Sequence, residues 1–247
     1  MPSFRVIILS AGVGERLRPL TYTTHKNLLE INGKAVIQHL LDALIYSGAD
    51  VDMVHIVVGH YAYKFRKLLG KQYKTLNIQL LKNQLFKITG GAQSLYAAYH
   101  ILSKHPCLVV DGDHYMDPEL MRLLMNCKFE NAILVDDPEK SFDGEETLAY
   151  GNEGIVTKLK WMPPYPPNPL GEALTIFKLS KEASHALAVI LEDYLLEDGP
   201  AKREHIEPFN RLMRLHDIHQ VSTEGKNWLE IDYEKDYEKA KVLKFET

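Results

Sequence analysis

The stretch Leu9-Ser-Ala-Gly-Val-Gly-Glu-Arg-Leu-Arg-Pro-Leu-Thr21, followed by Lys26, decides the interpretation of this chain. It comes directly after residues 4–9, whose aliphatic and β-branched side chains predict a buried strand. Gly12 and Gly14 permit a sharp turn and let backbone N–H groups approach an anion without interference from a Cβ atom. The arginines of the stretch and Lys26 add positive charge beside that turn. A strand, a glycine turn and clustered cations together predict a triphosphate-binding site.

Two common nucleotide-binding loops do not fit this spacing. A P-loop needs Gly-x-x-x-x-Gly-Lys-Ser/Thr, a string that the sequence lacks. A Rossmann fingerprint needs a third glycine where Leu17 stands, and an acidic residue after the second strand, where the chain has Gly59 and His60. The alternative to a triphosphate-binding site is an ordinary glycine turn flanked by surface arginines, with no role in binding.

The stretch resembles the signature Leu-x-x-Gly-x-Gly-x-Arg-Leu-x-Pro-Leu-Thr…Pro-Lys of the nucleotidyltransferases that make sugar nucleotides and CDP-alcohols. The residues in register with it are Leu9, Gly12, Gly14, Arg16, Leu17, Pro19, Leu20, Thr21 and Lys26. His25 departs from the signature, which has proline before the lysine. Because proline stiffens a loop, this departure bears on the placement of Lys26.

Composition bounds the class of protein. The 247 residues are 45% hydrophobic and carry a formal net charge of −4, which predicts a large core and argues against a general nucleic-acid binder. No apolar run approaches the roughly 20 residues that span a bilayer, and residues 4–9 are too short for a signal peptide. Cys107 and Cys127 show no CxxC spacing and are expected to be free thiols. We therefore expect a soluble cytoplasmic protein that binds neither membrane nor nucleic acid.

Hydrophobic periodicity predicts an α/β fold with a Rossmann-like, mostly parallel sheet flanked by helices. Predicted strands lie at 5–9, 53–58, 78–81, 107–111 and 132–135, and predicted helices at 35–46, 61–69, 92–101 and 118–125. The proline-rich region 140–169 is expected to form a loop or lid. Beyond it we expect strands at 174–178, 218–222 and 228–231 and helices at 181–196, 202–216 and 233–243.

We expect one nucleotidyltransferase domain over residues 1–247. Within it, 1–137 would form the nucleotide-binding core, 138–180 a smaller acceptor lobe with a lid, and 181–247 the C-terminal helices with a metal-binding strand. A homodimer formed through the second half is a further expectation.

Asp113 is the first candidate metal ligand. It closes Val110-Asp-Gly-Asp113 at a strand end, where one or two carboxylates commonly hold a Mg²⁺ ion that serves phosphates. Alone, it could equally cap the following helix, but the family resemblance favours the metal site. Residues 228–240 resemble the closing motif of the choline-phosphate and phosphonate cytidylyltransferases. That resemblance implies that Glu230 and Asp232 complete the Mg²⁺ site.

Nucleotide binding is assigned to the glycine turn, to the end of the fourth strand and to residues 83–95, which open a helix. The candidates are Leu9, Ala11, Gly12, Gly14, Glu15, Arg16, Asn83, Gly91, Ala92, Ser94 and Asp111. Sugar-phosphate members usually show Gln-x-x-x-Gly-x-Ala in the region 83–95. This chain is closer to the cytidylyl group there, which favours CTP.

The acceptor pocket is assigned to aromatic, acidic and basic residues of the second half. The candidates are Asp136, Tyr150, Lys160, Trp161, Tyr165 and Glu172. An aromatic wall would suit a quaternary ammonium group, and a lysine would suit a phosphate. The plain alternatives are aromatic packing under the lid, acids in turns and a solvated lysine.

The resemblance implies a cytidylyltransferase that joins CTP to a small phosphorylated alcohol or a phosphonate and releases pyrophosphate. The acceptor would be phosphocholine, 2-aminoethylphosphonate or a polyol phosphate, and Arg16, Lys26 and Asp113 would be the catalytic residues. Two alternatives stay open. One is a hexose-1-phosphate thymidylyl- or uridylyltransferase, and the other is a non-catalytic nucleotide-binding regulator.

Overall fold

The structure is a computed structural model, and it describes residues 3–70, 73, 76–136, 146–161, 168–197 and 204–245. The strands are β1 Phe4–Ser10, β2 Glu30–Ile31, β3 Lys34–Ala35, β4 Val51–Val58, β5 Ile78–Lys82, β6 Cys107–Asp111, β7 His114–Met116, β8 Ala132–Val135, β9 Thr147–Asn152, β10 Ile155–Trp161, β11 Gly171–Leu179, β12 Ile218–Ser222 and β13 Trp228–Glu230. The helices are α1 Val36–Tyr46, α2 Ala62–Leu69, α3 Gly91–Tyr96, α4 Tyr99–Leu102, α5 Pro118–Asn126, α6 Lys181–Leu196, α7 Ile206–Leu212 and α8 Glu234–Val242.

A nine-stranded sheet with the order β5-β4-β1-β6-β11-β8-β12-β10-β9 organises the fold. The strands β5, β4, β1 and β6 are mutually parallel, and β12 is parallel to β8. The strand β11 runs antiparallel between β6 and β8. The predicted α/β fold with a mostly parallel sheet is confirmed. Because parallel strands end at one edge of a sheet, the loops that follow β1 and β6 meet there.

Alternate residues of β1 enter two different cores. Val6 and Ile8 pack in the layer that contains α1, α2 and α5, whereas Ile7 packs in the layer that contains α3, α4, α6 and α7. This division follows from the period of two in a strand, and helices on both faces explain why β1 reads as a continuous apolar run.

A third, smaller core holds the site together. Leu17 of the glycine stretch packs there with Tyr115 of β7, Ile231 and Ala240 of α8. Side chains from the two ends of the chain thus share one apolar cluster, which brings the C-terminal acids beside the glycine turn.

The region 140–169 was expected to be a loop or lid, and this is wrong for residues 147–161, which form β9 and β10. The proline-rich residues 162–167 lie outside the described residues. The strands β9 and β10 form an antiparallel hairpin at the sheet edge. In β10 Val156 and Leu159 are buried, and the exposed positions hold Thr157, Lys158, Lys160 and Trp161. A hairpin at the sheet edge with one solvent-exposed face has too few apolar residues to give a clear hydrophobic pattern in the sequence. The predicted helix 92–101 is divided between α3 and α4, and α7 covers only the middle of the predicted helix 202–216.

No helix in the described ranges combines the length and the apolar character that crossing a bilayer requires.

Candidate functional site

A cavity of about 580 Å³ opens at the carboxyl edge of the parallel strands, between the glycine turn, α3 and the start of α7. Most of the predicted nucleotide, catalytic and metal residues line it: Leu9, Ala11, Gly12, Gly14, Glu15, Arg16, Lys26, Gly91, Ser94, Asp111, Asp113, Glu230 and Asp232. Trp161, a predicted acceptor residue, lines it as well.

The glycine turn is held by local contacts. Gly14 has φ +68°, in the left-handed region that a side chain disfavours, and a Cβ there would lie 3.2 Å from the Thr21 side chain. The Thr21 hydroxyl donates a hydrogen bond to the Gly14 carbonyl oxygen at 2.6 Å. The turn therefore has one shape in which its backbone faces the cavity.

His25 takes the place of the signature proline. Its backbone is extended, with φ −83° and ψ 147°, and its Nδ1 accepts a hydrogen bond from the Asn27 N–H at 3.1 Å. Its ring packs edge-on against Phe65. Burial, with help from the neighbouring Lys26 charge, lowers the pKa of His25 to about 3, so the ring is neutral and can accept. The histidine adopts the φ that proline would impose and adds a cap to the turn that begins at Lys26.

Lys26 lies between two of the predicted metal ligands. Its Nζ pairs with Asp113 and lies 2.7 Å from Asp232 Oδ1, and Arg16 pairs with the other oxygen of Asp232. Burial alone would lower the pKa of Lys26, but Asp113 and Asp232 outweigh it and raise that pKa above its usual value. Burial likewise opposes ionisation of Asp232, yet Lys26 and Arg16 hold the pKa of its carboxyl below the ordinary range. Lys26 and Asp232 are therefore both charged.

The donor set suits a hard divalent cation. Ligand atoms of Asp113, His114 and Glu230 lie within 4.8 Å of one another. Asp113 Oδ1 is buried and has no hydrogen-bond partner among the described residues. Loss of solvent, reinforced by Asp113 and Asp232, raises the pKa of Glu230 well above its usual value. A cation would relieve that crowding of carboxylates, and Mg²⁺ prefers oxygen ligands. Asp113 and Glu230 therefore suit an oxygen-preferring cation such as Mg²⁺. Asp232, the third predicted ligand, is not in this cluster, because its two oxygens pair with Lys26 and Arg16.

The short strand β13 places these acids. It pairs antiparallel with β7, so that Glu230 lies opposite His114. The Ile231 N–H donates to the Asp113 carbonyl oxygen at 3.0 Å, and the Ile231 side chain is fully buried. Glu230 and Asp232 flank this anchored residue, and both line the cavity.

Two predicted nucleotide residues lie behind the cavity wall. Asn83 is 3% exposed; its side-chain amide donates to Thr89 and Ser94, and its Oδ1 accepts from the Leu85 N–H at 2.9 Å. Ala92 is fully buried in the apolar core. Both support the loop that precedes α3 and do not line the cavity.

The structure places Asp136 away from the cavity, unlike the predicted acceptor site. It is 2% exposed, and its two carboxylate oxygens accept hydrogen bonds from the Thr223 hydroxyl at 2.5 Å and the Trp228 indole N–H at 2.8 Å. These contacts tie β8 to the segment that leads into β13. Asp136 thus supports the strand that carries Glu230.

The other predicted acceptor residues are dispersed. The Lys160 ammonium lies over the Tyr150 ring, 5.4 Å from its centroid, and neither residue lines the cavity. Glu172 pairs with Leu148 across β11 and β9, also outside the cavity lining. Tyr165 falls outside the described residues. Trp161, 54% exposed, is the candidate that the fold brings to the cavity.

Sequence reasoning missed His205. Its Nε2 lies 3.1 Å from Asp111 Oδ2 on the cavity wall. Burial opposes its charge, but the Asp111 carboxylate raises the pKa of His205; the pKa of Asp111 is lowered in return, despite burial. No motif surrounds His205, which comes just before α7 in a polar stretch. Only the packing of α7 against the sheet brings the two residues together.

Comparisons with known proteins match the first half of the chain to a family. A family model described as "Nucleotidyl transferase" matches residues 5–138. The 2-aminoethylphosphonate cytidylyltransferase of Lancefieldella rimae is 31% identical over 113 residues, which cover 46% of this chain and 44% of that protein. The choline-phosphate cytidylyltransferase of Streptococcus pneumoniae is 30% identical over 118 residues, 48% of each chain. The chain thus aligns with less than half the length of either of these curated relatives.

Solved structures extend the likeness in fold to nearly the whole chain. The CTP:phosphocholine cytidylyltransferase of Streptococcus pneumoniae superposes with a TM-score of 0.77 at 22% identity, and covers 97% of this chain and 98% of its own. The inositol-1-phosphate CTP transferase of T. maritima gives a TM-score of 0.76 at 16% identity, over 96% of this chain and 92% of its own. At such identities the likeness concerns the fold. Since the family model matches more than half of the sequence, the chain belongs to the nucleotidyl transferase family.

Proposed function

We propose that this chain is a Mg²⁺-dependent cytidylyltransferase, which transfers a cytidylyl group from CTP to a small phosphonate or phosphomonoester and releases pyrophosphate. The observation that carries the proposal is the convergence of Arg16 and Lys26 with Asp113, Glu230 and Asp232 in one cavity beside the glycine turn. Cations and acids in this arrangement serve phosphoryl-type transfer, which depends on positioning and on stabilisation of charge.

The reaction needs no protein nucleophile. An oxygen of the acceptor attacks the α-phosphorus of CTP in line; the bond from that phosphorus to the bridging oxygen breaks, and the electron pair leaves with pyrophosphate. The acceptor oxygen is already anionic near neutral pH, so no general base is required. Arg16 and Lys26 would neutralise charge on the transferred and leaving groups, and the backbone of the glycine turn would hold the phosphates.

Mg²⁺, when held by Asp113, Glu230 and Asp232, would neutralise phosphate charge and orient the reacting oxygens. The ion pairs of Lys26 with Asp113 and Asp232 hold those two carboxylates at the cavity.

CTP as the nucleotide rests on the relatives. Two curated relatives are named as cytidylyltransferases, one acting on 2-aminoethylphosphonate and one on choline phosphate. A cationic acceptor head would suit the half-exposed indole of Trp161, with the Glu204 carboxylate on the same cavity. Tyr165 is retained as a proposed acceptor residue.

A second candidate is a sugar-phosphate nucleotidyltransferase. The catalytic subunit beta of mannose-1-phosphate guanylyltransferase from Drosophila melanogaster is 33% identical over 141 residues, 55% of this chain and 38% of that protein. That relative would favour a purine nucleotide and a hexose 1-phosphate.

Release of pyrophosphate from a panel of substrates separates these proposals. CTP, UTP, GTP and dTTP would each be paired with 2-aminoethylphosphonate, phosphocholine, a polyol phosphate and a hexose 1-phosphate, in the presence of Mg²⁺. We expect turnover with CTP and one of the first three acceptors. The Asp113→Asn variant should turn over that pair more slowly by a factor on the order of 10²–10³. Preferred use of GTP, UTP or dTTP with the hexose phosphate would reject the cytidylyl proposal. Failure of every pair would favour the non-catalytic regulator.

We further propose that residues 1–247 act as one catalytic unit in the cytoplasm. Cys107 and Cys127 are free thiols, which suits a reducing compartment.

A further inference from the structure

Asp111 lines the cavity but stands apart from the proposed cation ligands. It precedes Asp113 by two residues and, like Asp232, is not among the residues whose ligand atoms gather within 4.8 Å, namely Asp113, His114 and Glu230. Its Oδ2 faces His205 instead. A carboxylate in this place is a problem for the proposed chemistry. The nucleotide and the acceptor both carry negative charge, and an uncompensated acid on the wall would repel them.

His205 is the side chain that forms an ion pair with this carboxylate in the described part of the chain. His114 also faces Asp111, but burial lowers the pKa of His114 below its usual value. The His205 Nε2 lies 3.1 Å from Asp111 Oδ2, and the two side chains are only 12% and 17% exposed. Thr175 also hydrogen-bonds to Asp111, but its hydroxyl is neutral and cannot offset the charge. Because the pair is largely buried, solvent screens it less, and the electrostatic interaction of His205 with Asp111 is stronger than that of a surface partner would be.

The His205 ring is fixed from its other side by Gly91, the first residue of α3. An ideal Cβ at Gly91 would lie 2.3 Å from His205 Nδ1, closer than any real contact. Nδ1 itself is buried and has no hydrogen-bond partner among the described residues. The imidazole therefore fills the space between α3 and the end of β6, and glycine at position 91 is what leaves room for it.

We propose that His205 is a positioning residue for the transfer reaction. It holds the Asp111 carboxylate against the start of α7 and offsets its charge, so that the magnesium complex of a triphosphate can bind in front of it. The inference rests on the proposed function, because it assumes an anionic nucleotide in this cavity. It adds a residue from the second half of the chain to the nucleotide subsite built by the first half.

The test measures binding of two probes by calorimetry, CTP and inorganic tripolyphosphate, each with Mg²⁺. We expect His205→Ala to weaken both on the order of tenfold, because the Asp111 charge is left uncompensated. Neutralising that acid in the double variant Asp111→Asn/His205→Ala should bring the affinity back to within about threefold of the wild type. His205→Gln, which keeps an N–H donor without the charge, should fall between the wild type and His205→Ala, and it replaces His205→Ala if that variant does not fold.

Gly91→Ala provides a steric control on the same contact. In the wild-type background the added methyl group should displace the ring and weaken tripolyphosphate binding. In the His205→Ala background the methyl group has room, so its additional effect on binding should be smaller than in the wild-type background.

The outcomes separate this inference from the proposed function. If the wild type binds tripolyphosphate but not CTP, the cytidylyl proposal fails while the role of His205 is still measured. A double variant as weak as His205→Ala, or equal losses from Gly91→Ala in both backgrounds, would overturn the inference. Absence of binding to either probe by the wild type would overturn both.

Discussion

Replacing Lys26 by methionine should destabilise the folded protein far more than an ordinary lysine substitution does. The Lys26 ammonium lies 2.7 Å from Asp232 Oδ1 and also pairs with Asp113, and the three side chains are only 15–20% exposed. At an effective dielectric constant of about 20, one such contact is worth about 6 kcal/mol of Coulomb attraction. Desolvation of both partners offsets much of it, so removal of one partner from a buried pair costs about 3–5 kcal/mol. The larger part of that cost comes from Asp113, which loses its cationic partner, whereas Asp232 keeps its pair with Arg16.

Lys34 offers a matched control. Its Nζ lies 2.5 Å from Asp42 Oδ2, but the lysine side chain is 49% exposed. A solvent-exposed pair contributes about 0–1 kcal/mol, so Lys34→Met should change the free energy of unfolding by less than about 1 kcal/mol.

Urea unfolding followed by circular dichroism, in the presence of a chelator, measures both variants. We expect Lys26→Met to lose about 3 kcal/mol or more, which for a chain of this size lowers the melting temperature by roughly 6–12 °C. Mg²⁺ should return part of that stability, because the freed carboxylates would bind it. If the free energies of unfolding of Lys26→Met and Lys34→Met differ by less than about 0.5 kcal/mol, the buried pairing of Lys26 with the two acids is refuted.

Two further predictions concern buried polar groups outside the cavity. Asp136→Asn should lower the free energy of unfolding by about 1–3 kcal/mol, because the amide cannot accept hydrogen bonds from both Thr223 and Trp228. The KM for the acceptor should stay near the wild-type value. A large rise in that KM, with unchanged stability, would restore an acceptor-binding role for Asp136. His55, only 3% exposed, has its pKa lowered to about 4 by burial and by Arg5. The unfolded chain therefore binds the proton first as the pH falls below about 6.5, and acidification to pH 5 should remove about 2 kcal/mol of stability, a component that disappears in His55→Asn. Equal pH dependence of unfolding in the wild type and His55→Asn would show that His55 is not held neutral.

The central parallel strands of the first half could be located from the sequence. Strands at 107–111 and 132–135 have the bounds expected of them, β1 is one residue longer than expected at each end, and β4 begins two residues earlier than expected. These strands are buried on both faces, so their apolar runs are long and continuous and a local pattern is enough to find them. The glycine turn could also be predicted from the sequence, because the positive φ of Gly14 is required by the turn itself and not by distant contacts.

The direction in which side chains face was decided only by the tertiary structure. Asp136 was expected at the acceptor, but its strand packs so that the carboxylate meets Thr223 and Trp228. His205 had no local signal, and it reaches Asp111 because α7 packs on the sheet near the end of β6. A local pattern records whether a residue is apolar and how it alternates with its neighbours. It does not record which of two polar partners, separated by about a hundred residues, will be brought within hydrogen-bond distance, because that depends on how whole helices and strands pack.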